Sequence, residues 1–209
     1  MYNNFMSDKE KRLEAMKKIG DELLVFKKSP LYKFRIKNKY FPVVGEGSHS
    51  AKIMFIGEAP GKNEAEQGRP FCGRSGKVLN ELLNSAGIKR EDVYITNIVK
   101  DRPPENRDPT EEEKAFYAPF LDRQIAIIKP SIIATLGRHS MEYIMRHFSL
   151  ENKMEIISRA HGKAFEAEAP YGMVKIVALY HPAVAIYNIH QKSTLIKDFK
   201  IVYKIVSKI

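Results

Sequence analysis

The 209-residue sequence contains a single cysteine, Cys72. One cysteine excludes a disulfide within the chain and a metal cluster held by several thiolates of one chain. This composition fits a reducing compartment, so we expect an intracellular, cytoplasmic protein. No apolar run approaches the roughly 18 residues of a membrane span, and the N-terminus has no apolar signal core. No membrane association is therefore predicted.

Several recognisable site patterns are also missing. The sequence has no Gly-x-Gly-x-x-Gly segment and no Walker loop, which hold phosphates in many nucleotide enzymes. Its histidines show no recognised zinc-ligand spacing with acidic partners, so no metal is predicted. No linker rich in proline, glycine or serine divides the chain, and no internal repeat is evident. Residues 1–209 are therefore predicted to form one domain, and we expect a monomer.

Positive charge is present in excess. The chain has 35 Lys and Arg residues against 25 Asp and Glu residues, which gives a formal net charge of +10. Residues 26–41 contain basic and aromatic side chains without an acid, and the C-terminal segment carries a further series of lysines. Such a chain is attracted to polyanions, which indicates nucleic-acid binding, although many basic proteins bind none.

Apolar periodicity indicates the fold class. A capping-box pattern at Ser7 and Glu10 precedes apolar residues at helical spacing, which predicts an N-terminal helix over about 7–28. Short apolar runs predict four strands, at 52–57, 93–99, 131–136 and 173–179, with helical patterns between and after them. Alternating strands and helices predict an α/β fold, a three-layer α/β/α sandwich with a central, mainly parallel four-stranded sheet.

Polar residues follow three of these strands. Glu58 comes directly after the first strand, Asn97 stands near the end of the second, and His181 follows the fourth. Ligands of such sheets bind in the crevice outside the carboxyl ends of the strands. These three residues are therefore predicted to meet at one edge of the sheet.

Three segments around this edge carry a family resemblance. They are Gly57-Glu-Ala-Pro-Gly61 with Gly68-Arg-Pro-Phe-Cys-Gly73, Thr96-Asn-Ile-Val-Lys100, and His181-Pro-Ala183. In this order and spacing they resemble the family 4 uracil-DNA glycosylases, and the similarity spans roughly residues 26–190. The resemblance implies a base-excision repair enzyme that binds single- or double-stranded DNA and hydrolyses the bond between uracil and deoxyribose.

The resemblance also implies roles for the base-binding residues. Phe71 corresponds to the residue that stacks on the flipped base, and Asn97 to the residue that reads uracil. A carboxamide can donate to uracil O4 and accept from N3–H at once, a pattern that cytosine reverses. His181 corresponds to a donor beside uracil O2, which would stabilise the developing anion. Another histidine, His161, receives no role.

The loop after the first strand supplies the remaining candidates. Glu58 is expected to orient the attacking water or to offset charge on the sugar, with Glu64 as a second carboxylate. Gly57, Ala59 and Gly61 are expected to line the base site, where glycines allow close approach of the main chain. Further along the chain, the family pattern differs, and the residues expected to wedge into the duplex are here Ile186 and Tyr187.

One departure from the family concerns its iron-sulfur cluster. The positions of the four cluster cysteines are occupied here by Phe26, Ser29, Asp101 and Tyr117, none of which replaces a thiolate. The cluster is therefore predicted to be absent, and no cofactor is expected. Phe26 and Tyr117 are expected to fill its volume as an apolar plug, with Asp101 paired to a neighbouring lysine.

Other functions stay open at this point. A glycosylase for another deaminated base, such as hypoxanthine or xanthine, would need the same kind of crevice with a different width. A non-catalytic protein that binds uracil-containing DNA would keep the crevice without turnover. A purely structural domain would keep only the fold.

Overall fold

The computed structural model describes residues 6–209. In this range the strands are β1 (Glu46–Gly47), β2 (Ile53–Gly57), β3 (Tyr94–Asn97), β4 (Ile132–Leu136), β5 (Ala164–Ala169) and β6 (Gly172–Leu179). The helices are α1 (Asp8–Leu24), α2 (Tyr32–Lys37), α3 (Lys62–Gln67), α4 (Arg74–Ser85), α5 (Glu111–Ile128), α6 (Arg138–His147), α7 (Ile157–Ala160), α8 (Val184–Tyr187) and α9 (Lys192–Val206).

All six strands belong to one sheet, in the order β1-β3-β2-β4-β6-β5. The inner four strands pair in parallel, which confirms the parallel arrangement expected from the sequence. The expected number of four strands was wrong, because β1 and β5 add an antiparallel strand at each edge. Both edge strands pair with a neighbour that is itself a predicted strand.

Helices cover both faces of the sheet, so the three-layer architecture is confirmed. Alternate residues of β2 point to opposite faces, and every residue of this strand is buried. Met54 and Ile56 pack into a core with α1, α5 and α6. Ile53 and Phe55 pack into a second core with α4 and α9. Among the described residues, no helix has the length and hydropathy that a membrane span requires.

The N-terminal helix begins as expected but ends earlier. Ser7 and Glu10 form the complete capping box, in which each side chain bonds the other residue's main chain. The helix ends at Leu24 rather than near residue 28. Beyond its end, Phe26 packs edge-to-face against Phe120 of α5, with ring centroids 4.9 Å apart. This contact directs the chain away from the helix axis.

Candidate active site

The ends of β2 and β3 form the base of the site. Gly57 and Asn97 are paired in the parallel ladder, and the pairing continues past β3. The main-chain N–H of Ile98 donates to the Gly57 carbonyl and that of Val99 to the Glu58 carbonyl, each over 3.0 Å. The residue after β2 and the residue that ends β3 are thus held by one continuous set of hydrogen bonds.

Gly57 is required here by space rather than by its backbone angles. A Cβ atom at this position would lie 2.8 Å from Phe71 Cζ and closer still to Asn97 Oδ1. Real Cβ atoms essentially never approach within 3.0 Å of other heavy atoms. The structure therefore brings Gly57, Phe71 and Asn97 together at one point.

Asn97 is buried and incompletely bonded. Its side chain is 2% exposed, and Oδ1 has no hydrogen-bond partner among the residues that the structure describes. An unpaired buried oxygen is costly, so its presence at a strand end marks a place for an incoming donor.

Lys100, a residue to which the sequence analysis gave no role, holds the main chain of Asn97. The fully buried Nζ of Lys100 donates to the Asn97 carbonyl at 2.6 Å, to Thr96 Oγ1 at 2.7 Å and to Gln124 Oε1 at 2.6 Å. Burial lowers the pKa of Lys100. Three accepting oxygens nevertheless match the three protons of an ammonium group. Its place in the Thr96–Lys100 motif was the only sequence signal for this function.

Phe71 lies on a tightly constrained turn before α4. Its φ angle is +48°, and Gly76 is so close to the Phe71 carbonyl that a Cβ there could not be accommodated. Glu64 Oε1 accepts hydrogen bonds from the main-chain N–H groups of Cys72 at 3.0 Å and Gly73 at 2.8 Å. Glu64, expected as a second catalytic carboxylate, therefore fixes the turn that precedes α4 and carries the aromatic ring.

His181 faces Phe71 as a neutral ring. Its Nδ1 accepts a hydrogen bond from the main-chain N–H of Ala183 at 3.1 Å, so the ring proton belongs on Nε2. Burial lowers the pKa of His181 to about 4, although the nearby Glu64 acts in the opposite direction. The ring centroids of His181 and Phe71 are 5.9 Å apart. A neutral histidine with an available N–H thus stands beside the aromatic ring.

A cavity of about 180 Å³ lies between these groups, and its lining consists of Ala59, Gly61, Glu64, Phe71, Ser75 and His181. Gly57 and Asn97 do not line it but approach Phe71 from the end of the sheet. The cavity is therefore lined by two small residues of the loop after β2, an aromatic ring, a carboxylate, a hydroxyl and an imidazole. Ser75 was not anticipated from the sequence.

Glu58 points to a different side of the crevice. Its Oε1 is buried and, within residues 6–209, has no hydrogen-bond partner. The carboxylate lies 3.9 Å from Nδ1 of His139, at the start of α6. Burial raises the pKa of Glu58, and the nearby His139 opposes this effect. The sequence gave no signal for His139.

The two expected wedge residues belong to the short helix α8, which follows His181. Tyr187 is 86% exposed, whereas Ile186 is half-buried. His161 lies elsewhere, where it bonds Asp198 at 2.8 Å and stacks on Tyr180 at 4.4 Å between ring centroids. An exposed aromatic ring close to His181 is compatible with contact to DNA.

The four family cluster positions come together in the fold, but they do not fit a cluster. Tyr117 donates its hydroxyl proton to Asp101 at 2.6 Å and accepts one from Ser29 at 2.7 Å. The ring of Phe26 packs against that of Tyr117, with centroids 5.9 Å apart. The four side chains are a phenyl ring, a phenol, a hydroxyl and a carboxylate, and the last three are already hydrogen-bonded to one another. None of them offers the thiolate that a cluster iron requires.

Two details of the expected plug were wrong. Asp101 is paired with Arg35, at 3.1 Å, rather than with a lysine. Tyr117 is not a purely apolar filler, because its hydroxyl bonds on both sides. The fork of an arginine also reaches the carbonyl oxygens at the end of α1, which a lysine could not do from the same position.

Comparison with known proteins agrees with this geometry. Residues 44–200 match the Uracil DNA glycosylase superfamily. The chain is 47% identical over 183 residues to the type-4 uracil-DNA glycosylase of Saccharolobus solfataricus, covering 87% of this chain and 82% of that protein. It is 43% identical over 188 residues to the type-4 enzyme of Archaeoglobus fulgidus, covering 90% of this chain and 92% of that protein.

The layered fold and the crevice at its strand ends are those of a base-excising glycosylase, and the chain belongs to the uracil DNA glycosylase superfamily. Within that superfamily its similarity is to the type-4 uracil-DNA glycosylases, which also include a protein of Sulfurisphaera tokodaii that is 43% identical over 189 residues. The resemblance to family 4 is thereby confirmed.

Proposed function

We propose that this protein hydrolyses the N-glycosidic bond of uracil in DNA and leaves an abasic site. The observation that carries the proposal is the buried Oδ1 of Asn97, which lies beside the ring of Phe71 and has no hydrogen-bond partner within residues 6–209. Uracil offers an N3–H donor to that oxygen and an O4 acceptor to the same carboxamide, while its flat face stacks on the aromatic ring. Cytosine, with an unprotonated N3 and an amino group, does not match.

His181 stabilises the leaving base in this proposal. Breaking the bond from C1′ to N1 leaves the electron pair on uracil, whose O2 then carries negative charge. The neutral His181 ring keeps a proton on Nε2 for a hydrogen bond to that oxygen, since Nδ1 is already an acceptor. A fixed donor aimed at developing charge contributes about 10²- to 10³-fold in rate.

Glu58 acts on the sugar side. Its carboxylate offsets the positive charge of the oxocarbenium-like sugar and accepts a proton from the water that bonds to C1′. Glu64 acts mainly through position, because one of its oxygens already bonds the turn that carries Phe71. Gly57, Ala59 and Gly61 keep the main chain close to the base.

DNA binding in this proposal requires the base to leave the helix stack. Tyr187 and Ile186 occupy the gap in a duplex, and the net charge of +10 attracts the phosphate backbone of either single- or double-stranded DNA. We further propose that the protein works as a monomer inside the cell. We also propose that it works without an iron-sulfur cluster, because direct bonds among Ser29, Arg35, Asp101 and Tyr117 join the segments that a cluster would hold together.

The test is excision from a labelled strand. The pure protein is incubated with oligonucleotides that contain uracil, thymine or hypoxanthine, and alkali then cleaves the abasic sites. We expect cleavage only with uracil, and a loss of about 10²-fold or more for Asn97→Ala and His181→Ala. Intact uracil DNA at stoichiometric enzyme would contradict the proposal. An absorption band near about 400 nm in the same preparation would contradict the independence from a cluster.

A further inference from the structure

The carboxylate proposed to act on the sugar has a histidine at its side. Oε1 of Glu58 lies 3.9 Å from Nδ1 of His139, and the opposite ring nitrogen, Nε2, lies 3.0 Å from Oδ2 of Asp108. The three residues come from the loop after β2, the segment before α5 and the first turn of α6. They therefore approach one another only in the folded protein.

The two distances indicate different functions for the two contacts. Oδ2 of Asp108 lies 3.0 Å from Nε2 and Nη2 of Arg138 lies 3.1 Å from the same nitrogen, so these two groups hold that edge of the ring. At 3.9 Å, Glu58 is too far for a direct hydrogen bond but close enough for a charge interaction. Because an anion and a cation meet at Nε2, Nδ1 is the nitrogen that the ring presents to Glu58.

A metal ion explains this arrangement less well. The ligand atoms of the three residues lie within 4.8 Å of one another. A metal, however, bonds one ring nitrogen and gathers the carboxylates around it, whereas here the two carboxylates face different nitrogens. The geometry is that of a ring held at Nε2 by Asp108 and Arg138, with Nδ1 turned toward Glu58.

We propose that His139 is a positioning residue for catalysis: its ring, oriented by Asp108 and Arg138, lies beside the carboxylate of Glu58, favours the ionised form of that carboxylate and keeps it directed toward the reacting sugar. This inference rests on the proposed action of Glu58. The side chain of His139 is a quarter exposed, whereas Oε1 of Glu58 is buried.

Other charged groups also act on Glu58. Its burial raises its pKa and Asp108 acts in the same direction, whereas His139, Lys114 and Arg138 lower it, with His139 first among these three. Lys114 is engaged with Glu111 at 2.8 Å. Arg138 is exposed, and its Nη2 lies 3.1 Å from Nε2 of His139. His139 is thus the largest single contribution that opposes the effect of burial on Glu58.

The experiment compares pH profiles of single-turnover uracil excision from about pH 5 to about pH 9 for the wild type, His139→Gln and Glu58→Gln. His147→Gln is the matched control, because His147 ends the same helix and faces a different carboxylate, Asp122, at 3.6 Å. Since the active form of Glu58 is the anion, activity falls as acid protonates it. We expect the acidic limb of His139→Gln to move to higher pH, with about tenfold more activity lost at the acidic end than at the plateau.

The possible outcomes separate the two proposals. Superimposable profiles for the wild type and His139→Gln, with an impaired Glu58→Gln, would overturn the function of His139 and leave that of Glu58 standing. A fully active Glu58→Gln would overturn both. A displaced acidic limb in His139→Gln, together with an unchanged profile in His147→Gln, supports the inference, because a merely structural defect lowers the rate at every pH.

Discussion

Replacement of Gly57 by alanine is the most direct test of the crevice. The substitution adds one methyl group at the point where the carboxamide of Asn97 and the ring of Phe71 meet. Gly57 is not among the residues with positive φ, so an alanine is acceptable to the backbone. The whole effect therefore arises from space inside the site.

The magnitude follows from the contact distances. The added Cβ would lie 2.8 Å from Phe71 Cζ, whereas ordinary contacts begin at 3.4 Å, so the ring must move by about 0.6 Å and the closer Asn97 oxygen by more. Displacement on this scale breaks the alignment of both hydrogen bonds from the carboxamide to uracil. At about 1–2 kcal/mol for each bond, excision slows by about thirty- to a thousandfold.

The assay is single-turnover excision, with thermal unfolding measured on the same preparations. Gly20→Ala is the control, because its added Cβ meets only Val44 Cγ2 at an ordinary 3.6 Å. We expect Gly20→Ala to keep the wild-type rate. A folded Gly57→Ala protein that excises uracil within about threefold of the wild-type rate would refute this account of the site.

Three further substitutions test individual side chains. Tyr117→Phe removes the hydroxyl that donates to Asp101. We expect the unfolding free energy, measured by urea denaturation, to fall by about 1–3 kcal/mol. An unchanged value would show that the bond contributes nothing to stability. Lys100→Met leaves the Asn97 carbonyl without its donor, so we expect at least about tenfold slower excision, and a wild-type rate would argue against this contact. The third is His181→Asn, examined by thermal unfolding at about pH 7 and about pH 4.5. With a pKa of about 4 in the folded protein, His181 stays mainly neutral at about pH 4.5, while the same residue in the unfolded chain takes up a proton. Acidification therefore lowers the unfolding free energy of the wild type by about 2 kcal/mol more than that of the variant. Equal losses in the two proteins would refute the buried neutral ring.

The inner strands of the sheet could be predicted because a buried strand is recognisable from its own residues. The inner strands are short and mainly apolar, and their predicted bounds agree with the structure to within a few residues. The edge strands were not predictable in this way. The β1 strand has only two residues, Glu46 and Gly47, and β5 exposes Glu166 and Glu168, so neither strand contains an apolar run. Their extended form depends on hydrogen bonds to a neighbouring strand.

The candidate site likewise has one part that the sequence predicts and another part that it does not. Topology alone places Asn97 and His181 at one edge of the sheet, because parallel strands end on the same side. The Glu58 carboxylate lies beside His139, which stands about 80 residues further along the chain. The bonds from Glu64 to the turn before α4 likewise depend on how α3 meets a turn in which Phe71 has a positive φ. Such contacts are properties of packing and leave no pattern in the sequence.

The hydrogen bonds that extend the pairing of β2 and β3 beyond Asn97 have a kinetic consequence. They join Asn97, the residue proposed to read the base, to the start of the loop proposed to surround the base, so little conformational entropy remains to be lost when a base enters. The excised base faces the same rigid surroundings after the bond is cut. We therefore expect free uracil to compete with the DNA substrate, and we expect its departure to lengthen each catalytic cycle.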